Sequence, residues 1–207
     1  MKQFSYDGGT FNVVENWDEL TLKQLIQFSK IDRDQKFDSD IEEIIFLSKI
    51  IEILSDLPEG EIDQLDVLLL GEVMKSVQVE LLSTTPEFKK QKSVVINDIL
   101  YGFKDPNKMN LGEVISYKEY QKKFNGFDSI PYLLAIICRP ATINVNKETG
   151  LEEVVLDKFE ASDIEYRHNI MMDQPAFKLM GAVNFFFSGS KASIKSTKGS
   201  TPKKLKA

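Results

Sequence analysis

The chain has 207 residues, of which 42% are hydrophobic and 28% charged, the proportions of a globular protein with a real core rather than a disordered or disulfide-stapled one. Formal charge is −6, unevenly spread: six of the 26 basic residues are lysines beyond Gly189, where no acid occurs, leaving 20 basic against 32 acidic residues, a net −12, in residues 1–188. An acidic body repels a phosphate backbone, so nucleic acid is not expected as a partner except through the basic tail, and one Cys with one His is too few for a disulfide or a zinc site.

In chain order, Lys2–Tyr6 and Thr10–Val14 flank Asp7-Gly8-Gly9 and predict a β-hairpin. Trp17 precedes Thr21-Leu22-Lys23-Gln24, a capping-box spacing that opens a helix with Leu22, Leu25, Ile26 and Phe28 on its apolar face; Trp17 is expected to anchor that helix. Asp38-Ser39-Asp40 starts the next helix. Its apolar residues, Ile41, Ile44, Ile45, Phe46, Leu47, Ile50, Ile51 and Leu54, exceed one face and predict deep burial, or else a surplus left for a partner. Leu57-Pro58-Glu59-Gly60 breaks the pattern. Glu61–Leu82 reads as a short and a longer helix with Val67, Leu70, Met74 and Val77 inward, ended by Thr84-Thr85-Pro86.

Ser93–Ile96 and Ile99–Phe103 around Asn97-Asp98 predict a second hairpin, and Asp105-Pro106-Asn107-Lys108 a turn. Ser116-Tyr117-Lys118-Glu119 has capping-box spacing for a helix over Tyr117–Phe124. A short apolar helix over Ile130–Cys138 stops at Arg139-Pro140. Ile143–Val145 and Glu153–Leu156 around Asn146–Gly150 predict a third hairpin. Ser162-Asp163-Ile164-Glu165 opens a helix to about Met172, and Asp173-Gln174-Pro175 starts a last one bearing Phe177, Met180, Val183, Asn184, Phe186 and Phe187. Beyond Ser188, Ser, Lys, Gly and Thr dominate, the composition of a flexible tail.

The expected fold is therefore α+β, mostly helical with two or three short antiparallel β-hairpins. The expected organisation is one compact domain over 1–187, with a helical subdomain at 15–83 and a mixed one at 88–187, then the Lys-rich tail 188–207. No apolar run reaches the length of a membrane span, and the first residues lead into Asp7-Gly8-Gly9 rather than an apolar signal segment, so a cytoplasmic protein is expected.

Chemistry-bearing constellations are few. Cys138 and His168 lie 30 residues apart without a nucleophile motif. Asp32, Asp34, Asp40 and Glu43 fall at positions 1, 3, 9 and 12 of an EF-hand-like loop, but Lys36 and Phe37 occupy positions that need an oxygen ligand and a glycine. Gly8-Gly9 lacks the remainder of a phosphate-cradling motif. No catalytic residue, cofactor or metal is expected, and the chain does not read as an enzyme. Phe185-Phe186-Phe187 cannot all face one core, because successive helical residues point about 100° apart. Either the last helix is sandwiched within the protein or one ring serves a partner; Phe185, Phe186 and Phe187 are the candidate partner-binding residues.

Several blocks then follow in order: Asn16-Trp17-Asp18-Glu19-Leu20-Thr21, Leu57-Pro58-Glu59-Gly60-Glu61-Ile62, Leu111-Gly112-Glu113-Val114-Ile115-Ser116-Tyr117-Lys118-Glu119-Tyr120, Leu133 to Pro140 ending Cys-Arg-Pro, and Asp173 to Phe187. Across residues 10–187 this order resembles tail-assembly or baseplate-hub-assembly chaperones of tailed bacteriophages and related virion-associated proteins. The resemblance implies a non-enzymatic helper in the host cytoplasm that binds a phage tail or hub structural protein, alone or as an oligomer. The alternative it implies is a structural component that stays in the virion. The Lys-rich tail departs from that pattern.

Overall fold

A computed structural model describes residues 1–32, 35–77, 81, 87–89, 91–145, 147, 150, 152–184 and 186. The fold is α+β and mostly helical, with a two-stranded and a four-stranded antiparallel sheet. The chain divides into two compact units rather than the single domain expected: residues 1–87 with 172–178, and residues 88–171 with the chain from 179 onward.

In unit 1, β1 (Lys2–Tyr6) and β2 (Gly9–Val13) pair from Lys2↔Val13 to Tyr6↔Gly9, closing a tight turn at Asp7-Gly8. Helix α1 (Leu22–Ser29) carries the expected box: the Thr21 side chain accepts from the Gln24 N–H while the Gln24 side chain accepts from the Thr21 N–H. Helices α2 (Asp40–Leu54) and α3 (Val67–Val77) follow, separated by a 3₁₀ turn at Ile62–Gln64. Their core is built from Phe11, Leu20, Leu22, Phe28, Ile50, Ile51, Leu54, Val73 and Val77.

Two long-range backbone pairings fix this unit. The Val14 N–H donates to the Leu54 carbonyl, and Asp56 closes on Asn12 through both backbone and side chain. Segment 172–178 returns to α1, where Leu22 donates to the Gln174 carbonyl (2.9 Å) and Ala176 to that of Leu20 (2.7 Å). The first pairing ties the hairpin into the helical unit, and the second joins residues some 150 positions apart and brings 172–178 into it, so the unit extends beyond 15–83. Trp17 is half-buried, not a deeply buried anchor.

In unit 2 the sheet runs β3-β4-β5-β6: β3 (Ser93–Ile96), β4 (Ile99–Phe103), β5 (Cys138–Val145) and β6 (Glu152–Leu156). Asn97 and Asp98 both take positive φ, 48° and 62°, the geometry of a two-residue turn matched to strand twist. Strand β5 is shared: its first residues pair with β4 (Phe103↔Cys138 to Tyr101↔Pro140), and the rest with β6 (Ala141↔Leu156 to Val145↔Glu152). This sharing folds β6 over β4, and a Cβ on Gly102 would stand 2.5 Å from Leu156 Cδ2 and 2.8 Å from Val154 Cγ1.

Helices α4 (Leu111–Lys123), α5 (Ile130–Ile137), α6 (Ile164–Met172) and α7 (176–184) complete the described elements. Helix α4 begins six residues before the expected Tyr117, because Asn110 and Glu113 form the capping box; Ser116 is an interior, buried position. Arg139-Pro140 does end α5, but as the start of a strand. Helix α7 approaches its neighbours closely: a Cβ on Gly181 would lie 2.4 Å from the Lys89 carbonyl oxygen. Among the described residues no helix is long and apolar enough to cross a membrane.

Candidate functional site

The aromatic run expected to serve a partner sits at the end of α7. Phe186 is 4% exposed and belongs to the core of unit 2, with Leu133, Ile136, Ile137 and Ile164, its ring edge-on to Tyr117 at 5.7 Å. As a partner-binding residue it is corrected to a core residue, the sandwiched alternative. Phe185 and Phe187 lie outside the described residues, as do Asp34, Thr84-Thr85-Pro86 and tail 188–207.

The apolar surface lies elsewhere. Helix α2 was expected to be deeply buried, yet only its last part is, through Ile50, Ile51 and Leu54. Its first two turns stand clear: Ile41 is 69% and Ile45 51% exposed, four residues apart and therefore on one face. Phe37 and Phe46 pack together beside this stretch with ring centroids 5.0 Å apart. Val67, expected inward, is 63% exposed at the start of α3, and Leu68 beside it is exposed too. The inward stripe of α3 is Leu70, Val73, Met74 and Val77.

The acidic stretch before α2 serves the helix terminus. Ser39 accepts from the Glu42 N–H, and Asp40, Glu42 and Glu43 occupy the first turn, where negative charge complements the helix dipole. Among the described residues no group of three or more His, Cys, Asp or Glu is placed to hold a metal ion.

Cys138 is fully buried, and burial pushes its thiol pKa far up, with Arg167 only partly opposing. A thiol so held is not a thiolate nucleophile at neutral pH. His168 stacks on Tyr132 at 4.2 Å. On that same ring lie Tyr120 (4.4 Å) and Phe124 (4.5 Å), themselves only 6.2 Å apart, too close to sit on opposite faces of Tyr132. The imidazole is thus a member of a surface aromatic stack.

A polar centre that sequence reasoning missed lies within unit 2. Glu113, fully buried, accepts from the Asn110 N–H through Oε2 at 2.6 Å, while Oε1 lies 2.7 Å from Arg139 Nη2 and 3.8 Å from Lys104 Nζ. Among the described residues neither Glu113 Oε1 nor Arg139 Nε has a hydrogen-bond partner, so the Arg139 contact is a close ion pair without a well-directed hydrogen bond. Arg139 is 3% exposed and its guanidinium stands 5.9 Å from the Phe159 ring. Nearby Arg167 is equally buried but well satisfied: Nε donates to the Ala135 carbonyl (2.7 Å), Nη2 to that of Glu160 (3.1 Å), and Nη1 pairs with Asp163 (3.2 Å). Burial lowers its pKa, Asp163 opposes that shift, and Arg139 reinforces it. The Asn-x-x-Glu spacing at 110–113 was a readable signal for the cap; nothing local marks Arg139 or Arg167. No family model matches the chain, and neither the curated proteins nor the solved structures include a match to it.

Proposed function

We propose that the chain is a non-enzymatic assembly protein of a tailed bacteriophage, a chaperone that binds a tail or baseplate-hub structural protein in the host cytoplasm. The observation that supports this most is the exposed apolar start of α2, where Ile41 and Ile45 present a helix face that unit 1 does not cover. An amphipathic or apolar helix face of this kind suits capture of an apolar segment of a client before assembly. The resemblance of the ordered sequence blocks to phage assembly proteins is what suggests the client class. The acidic body keeps the free protein soluble and disfavours nucleic acid and other acidic partners. Burial of Cys138 and the stacking of His168 fit a protein without turnover.

The test is affinity capture from phage-infected cells with the full chain and with an Ile41→Asp/Ile45→Asp variant. A tail or hub protein should accompany the wild type and be lost from the variant, whose circular dichroism and melting stay unchanged because both side chains are exposed. A specific complex should bury at least about 1,000 Å². Recovery of no phage protein, or equal recovery by the variant, refutes the proposal. Presence in purified virions at fixed copy number converts the reading to a structural component.

A further inference from the structure

Strand β6 ends the sheet of unit 2, and among the described residues no strand pairs with its outer side. One bond fixes which way its backbone points. The Asp157 N–H donates to the Pro140 carbonyl (2.9 Å), which makes these two a hydrogen-bonded pair at the end of the register that runs from Ala141↔Leu156 to Val145↔Glu152. Hydrogen-bonded and non-hydrogen-bonded pairs alternate along an antiparallel ladder, so Glu153 and Val155 turn their N–H and C=O groups to β5, while Glu152, Val154 and Leu156 turn theirs off the free edge. The side chains of these three share a face with Ile143 and Val145, which are 52% and 57% exposed, and Val154 itself is 38% exposed. Ladder groups and an apolar face are thus left open along one strand.

A groove of about 680 Å³, a size within the range of ligand clefts, lies beside this strand. Glu152, Val154 and Leu156 line it from β6; Lys92, just before β3, and Lys104 and Lys108, just after β4, also line it. The two contributions carry opposite charge. Among the lysines the one acid, Asp105, is committed to the N–H and side-chain amide of Asn107, and Arg139 is paired with Glu113. Along β6, Glu152, Glu153 and Asp157 outnumber Lys158, which is itself paired with Glu160.

We propose that this groove takes an extended segment of a partner protein, added to β6 as a further strand, in which apolar residues alternate with charged residues of both signs. The main chain of that segment bonds to the open groups of Glu152, Val154 and Leu156, and its apolar side chains continue the face of Ile143, Val145 and Val154. Its charged side chains answer the lysines on one hand and the glutamates on the other. Adjacent Glu152 and Glu153 repel the same edge of a second copy, so the occupant is a different chain. This inference does not rest on the assembly reading or on α2.

The probe is an end-blocked peptide of repeating Val-Glu-Val-Lys, titrated into the full chain and read by amide hydrogen exchange. The comparison peptides carry only Glu or only Lys at the charged positions, or N-methyl groups along one backbone edge. Saturable binding of the mixed-sign peptide should slow exchange at Glu152, Val154 and Leu156, and the N-methylated peptide should not bind. Lys92→Gln/Lys108→Gln and Glu152→Gln/Glu153→Gln alter exposed side chains, so the fold should persist while each pair weakens binding about threefold or more. Several outcomes would each overturn the proposal: no saturable binding, binding without protection of those three amides, equal binding of the N-methylated or of a single-sign peptide, or undiminished binding by either double variant. Protection of the same amides by concentration-dependent dimerisation of the chain alone, followed by sedimentation, would also overturn it and assign the edge to a second copy.

Discussion

Glu113 performs two tasks at zero exposure, and removing it should expose both. In Glu113→Ala, Arg139 remains buried at 3% exposure without its 2.7 Å carboxylate partner, with the Phe159 ring 5.9 Å away and the nearby Arg167 of like charge. Stranding a buried charge in this way costs about 3 to 5 kcal/mol. Loss of the acceptor for the Asn110 N–H removes half of the capping box, about 0.5 to 1 kcal/mol more. Glu113→Gln keeps an acceptor for Asn110 and loses the charge, so a cost of about 2 kcal/mol is expected. Glu113→Gln combined with Arg139→Met removes the stranded charge and should return to within about 1 kcal/mol of wild type. Urea unfolding read by tyrosine near-ultraviolet circular dichroism is the appropriate assay, because five of the six tyrosines lie in 88–171, whereas the single Trp17 lies in unit 1. If Glu113→Ala costs less than about 1 kcal/mol, or the double variant is no more stable than Arg139→Met alone, the buried pair does not organise this unit.

Phe186→Asp places a charge in the cluster of Leu133, Ile136 and Ile164 and should unfold unit 2 rather than spare the fold, seen as loss of the tyrosine signal; a folded variant would return this residue to the surface. Gly102→Val brings a side chain against Leu156 and Val154 and should destabilise by about 1 to 3 kcal/mol in the same assay, whereas a neutral outcome would mean that β6 does not lie over β4. Tyr101, Tyr117, Tyr120 and Tyr132 all have pKa values raised by burial. Each therefore holds its proton more tightly folded than unfolded, so the stability they contribute is complete below about pH 10 and declines as pH rises through their folded values. Spectrophotometric titration should show these phenols ionising late and together with unfolding; independent ionisation near pH 10 in the folded protein would contradict their burial.

Local elements were legible wherever a rule acts within a few residues. Thr21 with Gln24 announces α1, Asn97-Asp98 announces a turn that both residues enter at positive φ, and Pro58-Glu59-Gly60 breaks the helical pattern between α2 and α3. These signals suffice for a mostly helical α+β fold with antiparallel hairpins. Helix α4 starts at Leu111 and not at the expected Tyr117 because Asn110-x-x-Glu113, a spacing that sequence reasoning passed over, forms the capping box. Burial was a different matter, because an apolar residue is core only where another element covers it. The same hydrophobic character left Ile41 in solvent and put Phe186 in the interior. The pairings of Leu20 with Ala176 and of β4 with β5 join distant stretches through backbone groups that carry no mark of their partner. The encounter of Arg139 with Glu113 depends on the second of these, which seats Arg139 opposite Gly102, so chain closure over a long sequence separation, not residue identity, decided where the polar centre of unit 2 lies.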